Sequence, residues 1–245
     1  MSDAKPGLQV IAEDIKPLHL LDFEMPNDFH YDLTMDNLVT WGEVVRDNTY
    51  RLPDEFSAND IIIDVGAHIG MFAYACLNRG AGKVICLEPQ RDNFAKLVEN
   101  LSHFGDRVTL LNVAAWSTEC WLTTFQPAGF TTSTGYTVEQ SGLRTMQETE
   151  GDLQPFRGIS LRSLVELLPP KKPCRMLKLD CEWSEWEIAR QTRFGWCQEV
   201  IGEIHTTREG ETAEVWRDLM ARDGFTTEFE LNAPYPYLSL FWSKR

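Results

Sequence analysis

The sequence predicts an α/β fold: a mostly parallel seven-stranded sheet with an antiparallel last strand and helices on both faces. Three observations carry that expectation. Residues 61–90, IIIDVGAHIGMFAYACLNRGAGKVICLEPQ, read as one strand–loop–helix–strand unit, with Gly66 and Gly70 in the loop and an acid, Asp64 or Glu88, closing each strand. Strand-like and helix-like patterns keep alternating after it, which implies parallel strands covered on both faces. The last two apolar runs have no helix between them, and their short Pro-containing link suits an antiparallel pair.

Each element has a local reason. Asp36 can cap a short helix over 37–46, with Leu38, Trp41 and Val45 on one face. The β-branched run Ile61–Val65 is the first strand. Ile69 to Arg79 is the first helix, followed by turn residues Gly80 and Gly82, and Val84 to Glu88 is the second strand. Phe94, Leu97, Val98 and Leu101 follow helical spacing over 93–104, and Gly105 is placed to end that helix. Val108 to Ala115 is a third strand. A helix over 161–168 stops at Pro169 and Pro170. Met176 to Asp180 is the fourth strand, with a helix over 182–192, and Glu199 to His205 is the fifth. A helix over 211–222 stops at Gly224, and Phe225 to Leu231 and Tyr237 to Trp242 are the last strands, joined by Asn232-Ala-Pro-Tyr-Pro. Residues 1–50 read as an N-terminal arm and helix covering the site, and residues 51–245 as the main domain. Within it, residues 116–158 break the alternation. They are rich in Thr, Ser, Gly and Gln, with Trp121, Phe125 and Phe130 spread among them, and read as a long functional loop facing the substrate.

Composition narrows the classes. The chain has 245 residues, 43% of them hydrophobic, enough for one large core. Its longest apolar runs are too short to cross a bilayer, so no membrane partner is expected. The start, MSDAKPGLQVIAEDIK, lacks a basic segment followed by an apolar one, and no secretion signal is read there. Six cysteines without a CxxC pair suit buried thiols in a reducing, cytoplasmic setting. A net charge of −14, from 37 acidic and 23 basic residues, disfavours nucleic acid, whose affinity depends on Lys and Arg neutralising phosphates. No His pair has ligand spacing, and hard cations need several convergent oxygens, so no metal is expected.

The chemistry starts at residues 61–90. Small residues at the first turn let a ligand approach the backbone, and the acid closing the second strand can accept bonds from ribose hydroxyls. The unit reads as a site for an adenosine-containing cofactor.

Four blocks extend that reading. They are Trp41-Gly-Glu-Val-Val through Asn48-Thr-Tyr50; Asp64-Val-Gly66-Ala-His68-Ile-Gly70-Met-Phe72; Leu87-Glu88-Pro89 with Asn93-Phe94; and Leu177-Lys178-Leu-Asp180-Cys-Glu182-Trp-Ser-Glu185, followed by Glu203-Ile-His205. In order and at this spacing, over roughly residues 38–242, they resemble a Rossmann-like class I S-adenosylmethionine-dependent methyltransferase of the FkbM type. Two positions depart from the family pattern: His68 stands where Asn is usual, and Trp183 where Gly is usual.

The resemblance implies S-adenosyl-L-methionine as cofactor, and the Gly66-x-x-x-Gly70 spacing also favours it over a nicotinamide dinucleotide, which would want GxGxxG. Asp64 can anchor the glycine loop or meet the cofactor's amino group. Gly66, Ala67, His68 and Gly70 form the loop. Glu88 is the leading candidate for the ribose, and Pro89 and Gln90 border the adenosine. Asn112, Val113, Ala114 and Ala115 end the third strand where the family places adenine. Asp180 lies near the cofactor's amino acid part or the acceptor. Glu182 and Glu185 serve either the acceptor or the dipole of a helix N-terminus, and His205 can take a proton near neutrality. The acceptor implied is a hydroxyl on a sugar, polyketide or similar small natural product, with Asp180, Glu182 or His205 as base and Trp121, Phe125, Phe130 and Trp183 shaping its pocket. The alternatives are N- or carboxyl-methylation, or a non-catalytic adenosine-binding module. Oligomeric state is unspecified by any pattern in the chain.

Overall fold

A computed structural model of the chain describes residues 29, 40–125, 137–140, 155–166, 168, 172–182, 184–206, 209–231 and 237–245. In it a seven-stranded sheet contains β1 (Ile61–Val65), β2 (Lys83–Leu87), β3 (Val108–Leu111), β8 (Cys174–Leu179), β9 (Cys197–His205), β10 (Thr226–Leu231) and β11 (Leu238–Lys244). Its order is β10-β11-β9-β8-β1-β2-β3. The pairs among β3, β2, β1, β8 and β9 are parallel, while β11 runs antiparallel to both β9 and β10. The expected fold class is the one observed.

β1, in the middle of the sheet, is buried on both faces, as the continuous Ile61–Val65 run requires. On one face lie α1 (Met71–Asn78) and α2 (Arg91–Leu101), which join Ile62, Val84, Cys86, Met176 and Ile201 in one core. On the other lie α3 (Leu161–Val165), α4 (Ser184–Gln191) and α5 (Ala213–Ala221), packed on Ile61, Ile63, Leu177 and Val200. Met71 to Leu77 are buried all round, so burial rather than amphipathic patterning specifies α1. Among the described residues two helices carry side-chain caps: Ser160 accepts from the Ser163 N–H, and Thr212 from the Val215 N–H.

The structure corrects three expectations. The third strand ends at Leu111, not Ala115; Asn112 and Val113 leave the sheet, and Ala114 opens a new strand, β4 (Ala114–Trp116). Residues 116–158 are not simply a loop. With β5 (Cys120–Phe125), β6 (Thr137–Gln140) and β7 (Phe156–Ser160), β4 builds a second sheet of order β4-β7-β5-β6, around a small core of Ala114, Trp116 and Leu122. Its mixed pairing has no helical alternation to betray it. The helix expected over 37–46 is helical throughout its described residues, 40–46, but Gly42–Arg46 is wound as a π-helix rather than an α-helix. Leu38, Phe130, Pro169, Pro170, Trp183 and the 232–236 link lie outside the described residues. Among the described residues no helix is long and apolar enough to cross a membrane.

Candidate functional site

The site forms where the parallel strands end. After β1 the chain turns sharply at Gly66 (φ +77°), and the Gly66 and Ala67 N–H groups both donate to the Leu87 carbonyl at the end of β2. A Cβ at Gly66 would stand 1.8 Å from the Asp180 carbonyl. Glycine is therefore demanded by the close approach of the β8 end, as well as by the turn. His68 also takes a left-handed conformation (φ +52°), as does Gly70, which opens α1. Buried Asn100 of α2 donates to the Ile69 carbonyl and pins the loop from behind.

Glu88 caps this turn. It is 5% exposed, and its two oxygens accept the His68 and Gln90 N–H groups at 2.8 and 2.9 Å. Burial pushes its carboxyl up to about 7 against those two bonds. Asn112 donates to the Glu88 and Pro89 carbonyls, so the segment leaving β3 is tied to the same corner, with half-buried Val113 and buried Ala114 following. Pro89 and Gln90 flank it, half-buried. Burial holds His68 neutral, down at about 4, with Lys178 adding to the effect.

Asp64 is wholly buried. Its Oδ1 lies 3.2 Å from Lys178 Nζ, an ion pair rather than an aligned hydrogen bond, and neither carboxylate oxygen accepts a hydrogen bond among the described residues. Burial raises it above the ordinary range although Lys178 pulls the other way.

A second constellation sits at the ends of β8 and β9. The Tyr50 hydroxyl donates to Asp180 Oδ2 at 2.8 Å. Burial works to raise Asp180, but Lys178, the Tyr50 bond and His205 outweigh it and hold the carboxyl low. His205 is 4% exposed, with Nδ1 2.6 Å from Glu185 Oε1 and Nε2 3.2 Å from Glu182 Oε2. Its backbone is clamped by the same helix: its N–H donates to Glu185 and its carbonyl accepts from Trp186 Nε1. Burial opposes the charge, yet the two carboxylates win, and the imidazole is held well above its ordinary value as an imidazolium. Glu182 (φ +53°) is raised by burial, in part offset by His205. Glu203, half-buried beside them, is pushed up to about 8 by burial and by Asp180.

The structure thus gathers Asp64, Gly66, Ala67, His68, Gly70, Glu88, Pro89 and Gln90 around one corner and Asp180, Glu182 and His205 at the adjoining strand ends. A model described as the methyltransferase FkbM domain matches residues 64–227, a stretch containing both corners. The chain belongs to the FkbM methyltransferase family. It is similar to the hexuronic acid methyltransferase AglP of Haloferax volcanii, 27% identical over 139 residues, 57% of this chain and 52% of that protein. The chain therefore covers about half the length of that curated relative. Among solved structures it is similar to TrmK of M. capricolum in complex with S-adenosyl-homocysteine (TM-score 0.45, 10% identity, 82% of this chain and 67% of that one). It is also similar to precorrin-6y C5,15-methyltransferase of Geobacter metallireducens (TM-score 0.43, 12% identity, 83% and 87%).

In this FkbM methyltransferase, the residues present fit S-adenosylmethionine. Asp64 is a buried carboxylate with unused acceptor capacity, suited to an ammonium group. Glu88 keeps one lone pair on each oxygen beyond those taken by backbone N–H groups, suited to a ribose diol. Sequence reasoning assigned no role to Tyr50, Lys178 or Glu203, although all three lie in the motif blocks; only contacts across distant segments reveal them. Of the aromatics expected to shape the acceptor pocket, Phe130, Trp183 and the Phe125 side chain are outside the described residues, and Trp121 is exposed.

Proposed function

We propose that this methyltransferase acts on a hydroxyl group of a sugar or similar small natural product, using S-adenosylmethionine. One observation carries the reading: a chain from buried Glu185 through buried His205 to half-buried Glu182 ends beside Asp180, whose backbone touches the Gly66 turn of the cofactor corner. When bound, S-adenosylmethionine supplies a methyl group already activated on sulfonium. Asp64, the Gly66–Gly70 loop and Glu88 bind it and orient it. A hydroxyl acceptor must lose its proton as it is methylated, and a carboxylate raised by burial is a better proton acceptor than an exposed one. Glu182 fits that role. His205, anchored by Glu185, holds Glu182 in place, and Asp180, gripped by Tyr50, orients the acceptor. Holding the reactants in line contributes on the order of 7–11 kcal/mol in well-oriented systems.

The relative named for hexuronic acids supports a sugar acceptor. A hexuronic acid offers hydroxyls and a carboxylate. The ionised carboxylate of Asp180 here disfavours an anionic reacting group, since like charges repel in a buried setting. The cysteines of the described structure are all free thiols, in keeping with a reducing, cytoplasmic compartment.

The experiment is a screen of sugars, hexuronic acids and polyketide alcohols with methyl-labelled S-adenosylmethionine, with mass spectrometry of the product. An alkali-stable methyl ether is expected. An alkali-labile methyl ester or a methylated amine would replace this reading by carboxyl- or N-methylation.

A further inference from the structure

The cofactor corner and the acceptor corner meet at one buried cation. Lys178, on β8, is 4% exposed. Its Nζ donates to the Gly66 carbonyl at 2.9 Å and lies 3.2 Å from Asp64 Oδ1 and 3.5 Å from Asp180 Oδ2. The Gly66 carbonyl takes one of its N–H groups, and the two carboxylates are held as ion pairs on either side of the same charge. The register sets Lys178 directly beside Asp64 on neighbouring parallel strands, and Asp180 follows two residues on. The rings of Tyr50 and Phe72 each lie 5.7 Å from the ammonium and wall it off. Asp180 has a second donor in Tyr50, whereas Asp64 is held by the ammonium's charge without an aligned hydrogen bond.

Two carboxylates therefore share one cation in a place where charges interact strongly. We propose that Lys178 is a positioning residue that couples the two corners: a cationic amino group of the cofactor arriving at Asp64 releases the ammonium toward Asp180, which fixes that carboxylate for the acceptor. The inference rests on the cofactor reading above. Linkage makes it reciprocal. Any change that drives Lys178 onto Asp64 must oppose the cofactor, and neutralising Asp180 is such a change.

Calorimetric titration with S-adenosylhomocysteine tests this on wild type, Asp180→Asn, Lys178→Met and the double variant. Asp180→Asn is expected to weaken binding by about fivefold or more in the presence of Lys178 and to change it little in the Lys178→Met background. Equal weakening in both backgrounds would mean that Asp180 acts on the cofactor directly, and would overturn the proposal. Lys178→Met leaves Asp64 as an unpaired buried charge, which threatens folding. A second measurement avoids that variant: carbon-13 NMR titration of the Asp180 carboxyl in wild type and Asp64→Asn. Freed from Asp64, the ammonium turns to Asp180, whose midpoint is expected to fall; an unchanged or higher midpoint overturns the coupling. Wild type that ignores S-adenosylhomocysteine would refute the cofactor reading instead, while the Asp180 titration would still decide the coupling.

Discussion

Tyr50 and Asp180, 130 residues apart in the chain, are joined by a 2.8 Å hydrogen bond from the phenol to Oδ2. The bond ties the segment before β1 to the end of β8. It is also one of the groups that keep Asp180 ionised. Tyr50→Phe removes the donor while keeping the edge-to-face contact with Phe72. Stability is expected to drop by about 1 kcal/mol. The acid limb of kcat/KM against pH moves to higher pH, because Asp180 then protonates earlier as pH falls. Urea unfolding and a pH–rate profile measure both, and an unmoved profile would detach Tyr50 from the chemistry.

Gly66→Ala places a Cβ 1.8 Å from the Asp180 carbonyl, and at φ +77° the strain has no side-chain rotamer through which to relax. A loss of about 3 kcal/mol or more is expected, with loss of S-adenosylhomocysteine binding. Denaturant unfolding and thermal shifts report the two effects. Gly105→Ala, where a Cβ meets nothing within 4 Å although φ is +60°, is the milder comparison.

Glu88 makes cofactor binding depend on pH. In the free protein its carboxyl is pushed up to about 7, whereas ribose hydroxyls donate to the ionised form. Binding must release a proton below that value, so affinity should weaken as pH falls from 8 to 6. Calorimetry in buffers of different ionisation heat counts the proton. The sign for folding is the reverse. A carboxyl raised above its unfolded value of 4.5 contributes stability that is complete below 4.5 and lost as pH rises through about 7. The ligand-free protein should therefore lose some thermal stability from pH 5 to 8, and Glu203, pushed up to about 8, adds to the slope.

Glu185→Gln weakens the grip on the His205 ring and leaves the cofactor corner untouched. Turnover with a competent acceptor should fall, by up to the roughly 10²–10⁴-fold that a positioned general base contributes, because His205 no longer holds Glu182 in place, with S-adenosylhomocysteine affinity unchanged. A parallel fall in both would make Glu185 a scaffold residue only.

Much of this arrangement was legible in the sequence because it is local. Ile61–Val65 announces a strand buried on both faces, and Gly66, Gly70 and Glu88 lie within one 30-residue unit whose spacing implies the corner they build. Asp180, Glu182 and His205 were legible as strand ends. What escaped depends on long-range contact. Lys178 reads as one more residue of an apolar strand until its neighbour across the sheet proves to be Asp64. Tyr50 shows nothing locally of its reach to Asp180. The second sheet escaped because its strands are short, polar and paired in mixed directions, so 116–158 carries neither helical nor strict two-residue periodicity. The break after Leu111 was hidden because Val113, Ala114 and Ala115 resume the apolar run just beyond Asn112, the one polar residue there, which turns to bond the Glu88 and Pro89 carbonyls.

The most direct test is a calorimetric titration of the folded chain with S-adenosylhomocysteine at pH 8, beside Glu88→Gln. One ligand per chain is expected for wild type, with affinity about ten- to a hundredfold weaker in the variant, since bonds to a charged acceptor contribute about 1.5–3 kcal/mol. Absence of binding by wild type, or equal binding by Glu88→Gln, would contradict the account.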